Sequence, residues 1–229
     1  LQAEVQRVLI ELGRQSIAPL TAALPGLPPA HQEIVADTLG QIAYRASIPF
    51  LSDLADTTKS DAVRTAARRA IDRLGGAGAE TSALFTDLAE GYYAEKSEVT
   101  SFPGEDFQLL WNFDPAAGLT MSAIRTPVFH EAMAMRLTER AMQIQTGSGG
   151  VSPQAAALWV ASNFSREIDS PEGYVNPAYP TGDAPNARRG ADYFGAAAGS
   201  DVAQIVLARA LDTRDTPLAR RRREKSVRS

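Results

Sequence analysis

The residues with the most direct claim to chemistry are His130-Glu131-Ala132-Met133-Ala134. A zinc-protease helix needs a His, a Glu and a second His one turn further on, so that two imidazoles share a face and the carboxylate serves as base. Position 134 is Ala, and His31 is the only other His in the chain, so a three-histidine site cannot form. The reading is no metal and no cofactor. His130 then packs near the first turn of its helix, and Glu131, Arg136, Glu139 and Arg140 read as solvent charges whose pairings contribute about 0.2 to 0.5 kcal/mol each.

Nucleophilic catalysis finds no better footing. The chain has no Cys and no Gly-x-Ser-x-Gly elbow, and Ser148 lies in Gly147-Ser148-Gly149-Gly150 without the preceding strand that would strain and aim its hydroxyl. The same glycine cluster lacks the Lys-Ser/Thr of a phosphate loop, and Gly75-Gly76-Ala77-Gly78 lacks the strand before it. Asn163-Phe164-Ser165 fits the glycosylation pattern but falls inside a predicted helix, where it is a packing position first. No catalytic residue is assigned, and the expectation is a protein that is not an enzyme.

Two groups are candidates for binding. Arg64, Arg68, Arg69 and Arg73 fall at i, i+4, i+5 and i+9 of one predicted helix, but Asp53, Asp56, Asp61 and Asp72 surround them and offset their attraction for phosphate. Tyr92, Tyr93, Trp111 and Phe113, with Tyr174 and Tyr179, either line a cleft for peptide or sugar or form a second core. Net charge is −4. It is uneven: residues 81–217 carry 9 basic and 17 acidic side chains, against 6 and 1 in residues 218–229. An acidic body argues against a dedicated nucleic-acid binder, and Arg220-Arg221-Arg222-Arg223 reads as a solvated terminus.

These groups hang on a pattern of helices. Val5, Val8, Leu9 and Leu12 have helical spacing, Gly13 stops that helix, and Ser16 is set to cap the next, which ends at Pro25-Gly26-Leu27-Pro28-Pro29. A helix from about Ala30 to Tyr44 follows, then a short one carrying Ile48, Leu51 and Leu54. After it, capped by Ser60, comes a helix with the small-residue face Ala62, Val63, Ala66, Ala67, Ala70, Ile71 and Leu74. A further helix runs from Thr81 to about Ala94. The period then changes to two. Phe107, Leu109, Trp111 and Phe113 alternate with polar or smaller partners, Asp114-Pro115-Ala116-Ala117-Gly118 is turn chemistry, and Leu119, Met121 and Ala123 alternate again, which predicts a β-hairpin over about 107–125.

Thr126-Pro127 then reads as the cap and first turn of an amphipathic helix to about Gln145, and Ser152-Pro153 starts another. A Pro-rich loop over 170–186 and short helices over 187–211 complete the pattern. Apolar residues make up 44% of the chain, which suffices for a core without disulfides, and no run of roughly 18 apolar residues would span a membrane. The start is already helical, reads as the second half of a repeat and lacks an initiator Met. The chain is therefore expected to be part of something longer, with its compartment open.

One phrase recurs. Leu12-Gly13, Leu39-Gly40 and Leu74-Gly75 each close a helix, and Ile17-Ala18-Pro19-Leu20 returns as Ile48-Pro49-Phe50-Leu51, with Ala-rich second helices such as residues 62–71. This resembles the HEAT-repeat family in its short bacterial form, over about residues 1–76. The resemblance implies an α-solenoid that binds proteins or, less often, a modified substrate, and it brings no catalytic residue. The order of parts, through Val128-Phe129-His130-Glu131-Ala132-Met133-Ala134-Met135-Arg136, also looks like large bacterial HEAT-repeat proteins, which implies a multi-domain scaffold.

The expected architecture is mainly α. A HEAT-like solenoid over 1–76 is followed by a helical domain over 81–215 bearing the hairpin and the Pro-rich loop, and by a basic tail over 216–229. The expected function is non-catalytic binding of a protein or peptide through Trp111, Tyr174, Tyr179, Arg64 and Arg68. The alternatives are a HEAT-like nucleic-acid-binding protein or DNA glycosylase, whose grip on a duplex would use a basic inner face, and an accessory protein binding a small ligand, such as a chromophore lyase.

Overall fold

The computed structural model describes residues 2–170 and 191–212. They are mainly helical, with one two-stranded hairpin, and their contacts divide them into two units. The first holds the described residues through Leu84 together with Leu109–Ala123; the second holds Phe85–Gln108 together with the described residues from Ile124 on. Tyr174, Tyr179 and nearly all of the Pro-rich loop lie outside the described residues, as does the basic tail.

The first unit contains helices α1 (Gln2–Leu12), α2 (Ile17–Ala23), α3 (Pro29–Ile42), α4 (Ile48–Thr57) and α5 (Asp61–Arg73), and the start of α6 (Thr81–Tyr93). The two copies of the recurring phrase take the same local form. Each enters its helix through a 3-10 turn, Gly13–Ser16 or Arg45–Ser47, whose closing serine is buried. Ser16 donates its hydroxyl to Leu9 O at 2.8 Å and Ser47 donates to Tyr44 O. Ser16 therefore does not cap α2 as its sequence position predicts, because its backbone is already helical and its hydroxyl is committed upstream. Ser60 does cap α5, accepting from Val63 N at 3.4 Å.

Alternate helices form a row: α3 lies against α1 on one side and α5 on the other, while α2 packs on α3 and α4 on α5. Ile17, Leu24, Leu39, Ile48, Leu51 and Leu54 meet the alanine face of α5 in the core. The tightest approach is at Gly40, where a Cβ would stand 2.8 Å from Ala70 Cβ and 3.0 Å from its Cα. The stripe on α1 is helical but not buried. Val5 and Leu12 are each 51% exposed, because α3 and the following turn are the main elements packed on α1 among the described residues.

The hairpin joins β1 (Phe107–Asp114) to β2 (Gly118–Arg125). Equal strand lengths put Asp114 opposite Gly118, and hence Trp111 opposite Met121, a register in which Thr120 reaches Asn112 O with its hydroxyl. Gln108, Leu110 and Ile124 are buried on one face. On the other, the Phe113 ring fills the space where a Gly26 Cβ would stand, and Met121 is 58% exposed. Asp114 holds the turn, its carboxylate accepting from Ala116 N and Ala117 N at 2.8 Å each.

The second unit is built on α7 (Thr126–Gly147) and α8 (Pro153–Asp169), which pack along each other, with α9 (Ala191–Ala197) and α10 (Ser200–Leu211) against α8. Ser152 caps α8, accepting from Gln154 N and Ala155 N. Thr126 does not cap α7. It lies inside the helix, and its hydroxyl donates to Glu105 O at 2.6 Å. Arg209 of α10 forms a two-pronged pair with Glu90, at 2.9 and 2.6 Å, and lies 5.1 Å over the Tyr93 ring.

Two outcomes test this packing. Gly40→Val is expected to destabilise the protein by about 1–3 kcal/mol through overpacking, read as a lower urea midpoint. The amides that Asp114 accepts, Ala117 before Ala116, favour its ionised form and hold its pKa below the ordinary 3.8. A lowered pKa means the turn keeps this support above the ordinary carboxyl range and loses it as pH falls through the lowered value. The amide resonances of Ala116 and Ala117 should accordingly titrate with a midpoint below 3.8.

Candidate functional site

The arginine stripe divides into held and open side chains. Arg64 pairs with Asp61 and donates to Thr58 O at 2.8 Å, so its guanidinium is committed to the start of its own helix. Arg73 crosses the row to Asp37 at 2.9 Å. Asp37 also accepts from Gln41 at 2.6 Å and from Gln6 at 3.4 Å, which links α1, α3 and α5 through one carboxylate. Arg68 and Arg69 are exposed and form no ion pair among the described residues.

Glu33 of α3 and Asp61, Ala62, Thr65, Ala66 and Arg69 of α5 line an open groove with a cavity volume of about 280 Å³. Glu33 and Arg69 repeat, one turn earlier on each helix, the charge pair Asp37 and Arg73. Glu33 and Arg69 form no such pair, and both line the groove.

The aromatic candidates separate. Trp111 is half-buried on the hairpin segment of the first unit. Tyr92 and Tyr93 are core residues of the second unit, 7% and 2% exposed. The Tyr92 ring meets Phe129 edge-on at 5.9 Å, and Tyr93 lies under Arg209. Tyr174 and Tyr179 lie outside the described residues.

The second unit also holds polar residues that the sequence pattern assigns elsewhere. Glu131, read as a solvent charge, is fully buried, and Arg136 is half-buried. The first half of α7 is enclosed over most of its circumference, so a polar residue there is not a surface residue. Burial pulls the Arg136 pKa below its ordinary value, with Glu139 and then Tyr92 acting in the opposite direction. His130 is buried, and its Nε2 lies 2.9 Å from the Thr100 hydroxyl. Facing α7, Ser162, Asn163, Ser165 and Arg166 of α8 are buried, which closes the glycosylation triplet off from any enzyme.

Gln108, which the strand alternation places on the face opposite Phe107, Leu109, Trp111 and Phe113, is fully buried and joins three groups. Its amide accepts from Phe102 N at 3.1 Å and donates to Phe102 O at 2.7 Å and Thr126 at 3.3 Å. The alternation therefore reads it as outward, while Phe107 on the apolar side of the pattern is 55% exposed. Ser148 is a linker residue on the surface, donating to Ile144 O at 3.2 Å. Among the described residues no three His, Asp or Glu side chains converge as a metal ion would require. Compared with known protein families, curated proteins and solved structures, the chain matches none of them.

The buried histidine offers a direct test. Thr100→Val is expected to destabilise by about 1–3 kcal/mol, since it leaves a buried ring nitrogen facing a methyl, while Thr100→Ser is expected to cost less than half of that. Denaturant melts of the three proteins check it.

Proposed function

We propose that residues 1–76 form a short HEAT-like α-solenoid and that the protein is a non-catalytic scaffold, which holds a protein or peptide on the side of the row α1, α3 and α5 that carries the groove. The observation that carries this reading is the open α3/α5 groove with its unmatched charges, Glu33 and Arg69, and with exposed Arg68 close by. The row and the repeated 3-10 entry to its first helices support the solenoid, since stacked helix pairs that recur in sequence bury a continuous core and leave one face for a partner.

Exposed Arg68 and half-buried Trp111 of the same unit are the contact residues this reading favours. Arg64 is favoured less, because it already pairs with Asp61 and donates to Thr58 O. The nucleic-acid reading is weakened by the same pairing: of the four arginines on the stripe, Arg64 and Arg73 are neutralised by carboxylates, which leaves little counterion release to drive binding.

A photo-crosslinking residue placed at Thr65, in the full chain and in extract from its own source, tests this. One discrete protein band is expected at Thr65, none at the control site Ala77, and none after Arg68→Glu with Arg69→Glu. Recovery of nucleic acid at Thr65, or equal crosslinking at Ala77, would overturn the scaffold reading.

A further inference from the structure

The chemistry of the α3/α5 groove narrows what the scaffold holds, and the step rests on the scaffold reading above. Glu33 lines the groove from the α3 wall and Arg69 from the α5 wall, with Asp61, Ala62, Thr65 and Ala66 of α5 beside it. We infer that the groove takes a peptide segment in which an acidic and a basic side chain lie close together, the acid meeting Arg69 and the base meeting Glu33.

Charge complementarity fixes this choice. A segment with one sign of charge would satisfy one wall and be repelled by the other, and an apolar segment would desolvate both charges without pairing either. A phosphate-bearing ligand would meet Arg69 but also Asp61 and Glu33, two carboxylates on the same small surface. The neighbouring Asp37–Arg73 pair shows that a carboxylate on α3 and a guanidinium on α5 can meet across these two helices. Guanidinium binds carboxylate through two parallel N–H donors, so the Arg69 side of the groove fixes the direction of the bound segment.

The test is selection of random dodecapeptides against the full chain, then against the charge-exchanged variant Glu33→Arg with Arg69→Glu. The expected motif from the native chain contains an acid and a base at constant spacing, and the exchanged variant selects the same spacing with the two reversed. Arg69→Glu alone should weaken a selected peptide by about tenfold, the order expected for losing one interfacial charge contact, and the loss should shrink as salt rises. Circular dichroism of each variant establishes that it is folded, as substitution at these surface positions should leave it.

Peptides selected without charge, or an unchanged motif on the exchanged variant, would overturn the inference while leaving a scaffold that binds elsewhere. If instead the chain sediments as a dimer that Arg69→Glu dissolves, the occupant is a second copy and the inference is wrong. The scaffold reading fails separately, in the Thr65 crosslinking experiment.

Discussion

The closest approach of two helices, Gly40 of α3 against Ala70 of α5, is the constraint on which the first unit depends. A missing Cβ on one side and a single methyl on the other let the backbones come nearer than larger side chains permit. Ala66, Ala67 and Ala70 each bury little apolar area, so α5 is held by closeness of contact rather than by size of side chain. That contact sets the distance at which Arg73 reaches Asp37, and through Asp37 it draws Gln6 of α1 into the same network.

The second unit solves its packing by another route. Its helices bury large side chains such as Phe85, Phe129 and Leu158, and polar groups are buried among them. A buried polar group is tolerable when bonded, and several here have bonds that tie distant segments together: Thr100 to His130, Gln108 to the Phe102 backbone, Arg209 to Glu90. Each joins residues six to over a hundred positions apart, so these bonds select one arrangement of loop, strand and helix. An apolar core of the same size would be less particular about register.

The elements themselves were legible in the sequence. Alternation over Phe107–Phe113 and Leu119–Ala123 with Asp114–Gly118 between them gave the hairpin, and helical spacing gave each helix to within a few residues. Caps were less legible. Ser60 and Ser152 cap because their backbones are extended, whereas Ser16 and Thr126 have the right side chain on a backbone already turned into a helix. Burial of charge was not legible at all. Glu131 sits in a stretch that reads as amphipathic, and the packing of α8 along α7 lies outside any local window. For the candidate site, the arginine spacing marks α5. The reach of each side chain decided which arginines were free, and reach depends on partners such as Asp37 that lie 36 residues away.

The pattern of held and open charges along the row has one physical source. Asp37 receives a guanidinium and two amides, which takes up most of its accepting capacity. One turn away Glu33 has no such company, because no amide side chain follows it at the right spacing. A charge left exposed beside apolar methyls contributes little to folding, since water solvates it as well as a surface partner would. In a complex the same charge is worth more, because the partner that pairs it also removes the water. The row is therefore stable without its groove being filled, and the open charges are the ones that do least for the fold.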